Sequence, residues 1–426
     1  MPKRTNSSAD RRTPLTIQGS PVAHQCYSCD GCGTCCRHFV VELDAADQRL
    51  LDRQDWSDQL PHRPTVIRDG RVYLNKTADG ACEFLDDENQ CRIHARYGVD
   101  AKPLTCQLYP FEIVPCSDGQ FRMSLRFDCH AVTESVGDPI QTSWPGIRLL
   151  AKARYLLGMH CSPEAVFWAE GTPAQHAQID LLVSRCDAIL TAADLAWSAR
   201  LALLAGTIES FIRSEFTVGA LDSAASVETE YGSVASSDVQ LLRGLVYAVG
   251  DYVSFAGQVQ ASMWGRVSSA LRHAGKARAF QRGTGLVPAL HGSPTAVQFA
   301  DIDVIRQARD GCAAEVAEMM TRWMRTWLLS RAWLGRACHG WSVQTGLAAW
   351  LMMAPMAGWV ARWFAAGERR AHIERDDLVQ AIRMVDHGLH MLPPLRQVTV
   401  ERRLMHLWRS DGAIPKLCAR YGVVDL

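Results

Sequence analysis

Between Cys26 and Cys36 the chain reads CYSCDGCGTCC, five cysteines in eleven residues, with Gly31 and Gly33 among them. No other stretch restricts the fold as strongly. Thiols at this density either pair as disulfides or bind metal. Cys82, Cys91, Cys106, Cys116 and Cys129 follow, so ten of the fifteen cysteines lie before residue 130. The thiol chemistry therefore belongs to the N-terminal part of the chain.

Compartment separates disulfides from metal. Lys3, Arg4, Arg11 and Arg12 make the start basic, but the apolar run of an export signal does not follow. The expectation is a cytoplasmic protein, where disulfides are disfavoured and clustered cysteines read as metal or redox ligands. Lys and Arg together equal Asp and Glu at 45 each, which argues against a mainly electrostatic nucleic-acid binder. From Ala337 to Ala361 there is no Asp, Glu, Lys or Arg, a length that can span a bilayer. His339, Ser342, Gln344, Thr345 and Pro355 oppose that use, and a buried helix pair broken near Pro355 is predicted instead. No membrane span is expected.

The expected organisation is α+β. Residues 1–23 are polar and aperiodic and read as a disordered tail. Residues 24–135 read as a small metal-stapled domain with short hairpins. Phe39–Leu43 looks like a strand, and Asp44 looks like the cap of a helix through Leu51, with Asp47 as its partner. Val66–Arg68 and Arg71–Leu74 flank Asp69-Gly70, a two-residue hairpin turn. A second hairpin is predicted from Phe111 to Phe127 around Asp118-Gly119, with a loop-rich segment over 80–110 between them. Residues 145–426 carry helical periodicity and read as a large all-α region. Within it Thr191 with Asp194 is predicted to open one helix, and Ser237 or Asp238 another. Long helices are predicted over Asp303–Leu334 and Asp376–Leu392, the latter stopped by Pro393-Pro394, and Arg282–Pro294 is a Gly/Pro loop.

Thiolates suit Zn²⁺ and iron–sulfur clusters because they are soft anionic donors. Cys26, Cys29, Cys32 and Cys36 match a ferredoxin spacing, but Arg37 stands where proline usually follows, and no second run exists. The later blocks are GACEFL at 80–85, CRIH at 91–94 and KPLTCQLYPF at 102–111, with Cys129 beyond. With CDGCGTCC at 29–36 they make the chain resemble the CxxCxxCC cysteine-cluster family, the YkgJ-type proteins described as zinc- or iron-chelating. The same pattern, more loosely spaced, occurs in flagellin lysine N-methylases, which also continue into a long helical region. The resemblance covers about residues 26–130. It implies Cys29, Cys32, Cys35, Cys36, Cys82, Cys91, Cys106 and Cys129 as metal ligands, and leaves Cys26 and Cys116 outside the pattern. Eight thiolates exceed one tetrahedral ion, so two sites, or one cluster with spare ligands, are implied. Adjacent Cys35 and Cys36 point apart in most backbones, which favours different ions for the two.

Other residues read as bystanders. His38, His94 and His130 are expected at the surface or behind the ligands, and Tyr109-Pro110-Phe111 packs against the cluster. Asp386, His387 and His390 share one helical turn and read as a solvated face. The tryptophans from Trp323 to Trp363 read as core, and Cys161, Cys186, Cys312, Cys338 and Cys418 as small apolar residues. The C-x3-C-x2-C triad of radical enzymes, a dinucleotide glycine motif and a P-loop are absent.

Three functions fit. One is a metal-binding protein, with a [4Fe–4S] cluster or Zn²⁺, whose helical region binds a protein partner. The second, implied by the resemblance, is an S-adenosylmethionine-dependent methyltransferase acting on a protein lysine. The third is a zinc-stabilised interaction protein without catalysis.

Overall fold

Turn chemistry places the two N-terminal hairpins. The computed structural model describes residues 17–18, 24–56, 60, 62–155, 162–221, 233–251, 263–290, 292–306 and 313–422. Most of the predicted tail, together with Cys161 and Cys312, lies outside these residues. Ile17–Gln18 (β1), within the predicted tail, instead form a strand. Thr34–His38 (α1) and Ala45–Asp52 (α2) follow, and the Asp44 carboxylate accepts from the Asp47 N–H as the predicted cap. Thr65–Arg68 (β2) pairs antiparallel with Arg71–Leu74 (β3) around Asp69 and Gly70, both at positive φ. Phe39–Leu43 is not a full strand. It touches β3 through one bridge, with the Leu43 N–H donating to Val72 O and the Leu74 N–H to Val41 O.

The segment over 80–110 is more ordered than predicted. It holds Arg92–Tyr97 (α3) and Leu104–Leu108 (α4). Phe111–Pro115 (β4) and Phe121–Leu125 (β5) form the second hairpin, and β1 adds to β5 in parallel, giving the order β1-β5-β4. His130–Glu134 (α5) and Ile140–Leu150 (α6) lead into a small hairpin, Val166–Ala169 (β6) with Thr172–Ala174 (β7).

The rest is helical: His176–Leu190 (α7), Trp197–Arg213 (α8), Ser236–Gly250 (α9), Met263–Arg282 (α10), Phe299–Asp303 (α11), Ala313–Ser330 (α12), Val343–Gly367 (α13), Arg375–His390 (α14), Pro394–Arg409 (α15) and Ala413–Tyr421 (α16). Several boundaries depart from expectation. Thr191 closes α7, because its hydroxyl donates back to Asp187 O, and α8 begins only at Trp197. α9 starts after Ala235, so Ser237 and Asp238 lie in its first turn. The predicted helix over Asp303–Leu334 does not form as one piece. Ile305 and Arg306 are extended, and Arg306 exchanges backbone hydrogen bonds with Ala371 and Ile373.

α13 runs unbroken through Pro355, where a break was predicted. Nearly every side chain along it is buried, and surrounding packing outweighs the one hydrogen bond that proline removes. Among the described residues no helix is long and apolar enough to cross a membrane. α13 is central to the larger of two hydrophobic cores, where Trp323, Trp333, Trp350, Trp359 and Trp363 are all fully buried. A Cβ at Gly388 on α14 would overlap the Val249 carbonyl of α9, so glycine permits that close crossing. The hairpin β4–β5 belongs to this larger core. The smaller core has eight residues: Val41, Leu43, Leu51, Trp56, Leu74, Cys82, Phe84 and Ile93.

Candidate metal centre

Backbone pairing lays residues 25–28 along α5 and the turn after it. The Tyr27 N–H donates to Asp138 O and the Ser28 N–H to Val136 O, both at 2.8 Å, and Cys26 bridges Pro139. The Gln25 amide donates to Val132 O. Gly31 and Gly33, at φ 70 and 67, then turn the chain into α1. Cys35 and Cys36 are neighbours in α1, and both side chains turn toward the same cavity.

Cys36 belongs to an inner group. Its carbonyl accepts from the Cys82 N–H at 2.9 Å and from Lys76 Nζ at 2.6 Å. Cys91 precedes α3 and bridges Leu85, and the Arg92 N–H donates to Phe84 O. Cys106 sits inside α4, whose Leu104 N–H donates to the buried Asp47 carboxylate, itself paired with Arg154 at 2.7 Å. Asp47 therefore positions Cys106, a role that its reading as a cap partner missed. Cys35, Cys36, Cys82, Cys91 and Cys106 line one cavity of about 350 Å³. Lys76 and Lys102 stand beside them, with Phe39, Tyr109 and Phe111 across the cavity.

These thiols share one electrostatic environment. A hydrogen bond with Cys35, then the charges of Lys102, Lys76 and Arg37, pulls Cys36 down to about 7 against burial. The same hydrogen bond and burial push Cys35 up. Burial raises Cys82 to about 12 and lifts Cys91 and Cys106, with neighbouring thiols adding to each. Burial also lowers the Lys76 ammonium, although the surrounding thiols oppose this. Four thiolates packed this closely repel one another and need compensating positive charge. As the side chains stand, no three His, Cys, Asp or Glu among the described residues close onto a single ion.

Cys29, Cys32 and Cys129 form an outer group. Cys29 and Cys32 are exposed, while Cys129 is buried directly before α5. Burial lifts Cys129 to about 12, and the nearby Cys32 adds to that rise. His130 Nδ1 lies 2.7 Å from Asp30 Oδ2. Cys26 and Cys116 sit apart. Cys26 lies in the ladder against Pro139, and Cys116 is inside the larger core with its sulfur 3.5 Å from Ser330 O. Cys186, Cys338 and Cys418 are buried as predicted.

Behind the cavity is a buried polar junction that the sequence reading assigned to solvent. Asp386 is fully buried and His387 only 4% exposed, because α14 faces the thiol-bearing segment rather than water. The Trp323 and Trp327 indoles donate to Asp386 Oδ1 at 2.8 and 2.9 Å, and the Asp128 N–H donates to Asp386 Oδ2. Asp128 also meets Arg126 at 2.7 Å, His387 Nδ1 at 2.9 Å and the Tyr109 hydroxyl at 3.1 Å. Burial pushes Asp128 up, but Arg126 and the His387 hydrogen bond outweigh it and hold the carboxyl well below its usual range. His390 Nε2 contacts Glu112, which lines the cavity with Arg126. Spacing alone held no signal for this junction, since Asp128 lies more than 250 residues from Asp386 and His387 in the chain.

No solved structure matches the chain. An uncharacterized protein of Methanocaldococcus jannaschii is 24% identical over 123 residues, which is 28% of this chain and 39% of that relative. The chain thus spans well under half the length of that relative. Residues 28–130 match the model of the CxxCxxCC family, described as "Putative zinc- or iron-chelating domain", and that segment is what this chain has in common with the family.

Proposed function

We propose that residues 24–135 form a metal-binding domain whose cofactor is an iron–sulfur cluster on Cys36, Cys82, Cys91 and Cys106. The observation that carries this reading is the convergence of five thiols, those four and Cys35, from four separate segments on one cavity beside two lysines. The donor set fits the cofactor: thiolates alone, Cys82 buried and the others half-buried, with Lys76 and Lys102 offsetting their charge. A tetrahedral zinc ion with bonds of about 2.3 Å holds its sulfurs about 3.8 Å apart. The cavity that the thiols line, about 350 Å³, has room for a larger polynuclear group.

Such a group supplies electron transfer or structural cross-linking when bound. The chain's own residues do the rest. Phe39, Tyr109 and Phe111 keep water from the thiols, and Lys76 ties the Cys36 backbone in place. Thirteen described cysteines are free thiols, so a reducing, cytoplasmic setting suits this use. The reading concerns metal binding alone.

Anaerobic purification followed by iron, sulfide and zinc analysis tests it. Brown protein with matched iron and sulfide is expected. Colourless protein carrying zinc overturns the cluster, and protein without either metal overturns the metal reading altogether.

A further inference from the structure

A second cleft, of about 560 Å³, is lined by no cysteine. β6, the loop before α13, the first turn of α13 and one face of α15 supply its walls. α13 opens there: Ser342 and Thr345 line the cleft, and the Thr345 N–H donates to Ser342 Oγ at 3.2 Å. The N–H groups of Val343 and Gln344, in the same turn, have no carbonyl within the helix to donate to. At 25 residues, α13 also concentrates partial positive charge at this end.

A buried hydroxyl points independently to a ligand. Ser117 is 1% exposed and lines the cleft, and its Oγ has no hydrogen-bond partner among the described residues. Gly335 leaves room for it, because a Cβ there would collide with Ser117 Oγ. Gly335 bridges Trp341, the residue before Ser342, so the hydroxyl sits close to the start of α13. Buried polar groups are ordinarily satisfied, and a ligand oxygen in the cleft satisfies this one.

The α15 wall carries both signs of charge. Glu401, Met405 and Arg409 recur every four residues and line the cleft as acid, apolar residue and base. Met405 Sδ lies 3.3 Å from Thr345 Oγ1, which places this row beside the first turn of α13. Arg336 pairs with Glu164, which leaves Glu170 and Glu401 to offer negative charge and Arg409 positive. Phe167, 43% exposed, and Trp341 add apolar surface.

We propose that this cleft binds a free α-amino acid. The ligand's carboxylate accepts from the first turn of α13 and from Ser117 Oγ, with Arg409 adding attraction. Its ammonium group faces Glu401 and Glu170, and its side chain packs on Phe167 and Trp341. A helix N-terminus beside glutamates suits a ligand that carries both charges on one small body. The inference is independent of the metal reading, because the two sites share no residue.

The test is isothermal titration calorimetry of the full chain with each standard L-amino acid, its amide and its N-acetyl derivative. Saturable binding of one amino acid, or of a few related ones, at one site per chain is expected. The amide lacks the carboxylate and the N-acetyl form lacks the ammonium, so each should bind at least about tenfold more weakly. Ser117→Ala removes no hydrogen bond within the described protein, so the fold is expected to survive. It should weaken binding about 3- to 10-fold, and Glu401→Gln about tenfold, with metal content unchanged in both. The absence of binding by every amino acid overturns the site. Equal binding of the N-acetyl form, which carries the chemistry of a peptide C-terminus, overturns the free amino acid as its ligand. Wild-type affinity in Ser117→Ala or Glu401→Gln overturns the placement in this cleft.

Discussion

The two hydrophobic cores differ in what they need. The larger runs through the helical body and buries five tryptophans completely, enough apolar area to stand without a cofactor. The smaller has eight residues, one of them Cys82, with Cys36, Cys91 and Cys106 packed around it. A core so small supplies only a few kcal/mol, and thiols at its edge turn metal affinity into folding free energy. On the proposed metal reading, one chain contains a part stabilised by packing and a part that depends on chelation.

Metal removal probes this contrast most strongly. Chelation under reducing conditions should unfold or loosen residues 34–108, while α13 and α14 keep their slow amide exchange. Hydrogen exchange read by mass spectrometry checks this, and equal loss of protection in both parts breaks the contrast. Trp350→Ala acts from the other side. Trp350 is fully buried and its indole donates to Met324 O, so the substitution should cost about 3–5 kcal/mol in denaturant melts and leave metal content unchanged.

The contrast was unevenly legible in the sequence. Both hairpins followed from Asp-Gly turns, and the tryptophan core from composition, because these signals are local. The thiol pattern marked eight residues, but not that Cys35, Cys36, Cys82, Cys91 and Cys106 line one cavity while Cys29, Cys32 and Cys129 do not, because that grouping is set by the fold rather than by spacing. Solvent was the wrong environment for Asp386 and His387, since burial there is decided by Asp128, far away in the chain. Pro355 misled because a helix buried on all sides tolerates one missing hydrogen bond.

Smaller effects sharpen the boundary between the two parts. Asp47→Ala leaves the Leu104 N–H buried without its acceptor and should cost about 1–3 kcal/mol. It should also reduce inner metal loading, measured by iron content, and a stability loss with full loading would show that Asp47 does not position Cys106. The smallest change concerns His390. Glu112 and Asp386 raise its pKa above the ordinary 6.5 against burial and Arg126, so its charged form is favoured in the folded state. Its contribution is complete below about pH 6.5 and is lost as pH rises through the higher folded value. His390→Gln should flatten that part of the stability profile, and an unchanged slope would assign the titration elsewhere.

The Asp128–Asp386 contact makes the molecule mechanically short. Cys129 is one peptide from Asp128, whose N–H rests on a carboxylate gripped by two indoles at the centre of the helical body. A displacement of that sulfur has no slack loop in which to dissipate. It acts on α14 as a push on a short, stiff rod, so the thiol end and the tryptophan end of this protein share a single bearing.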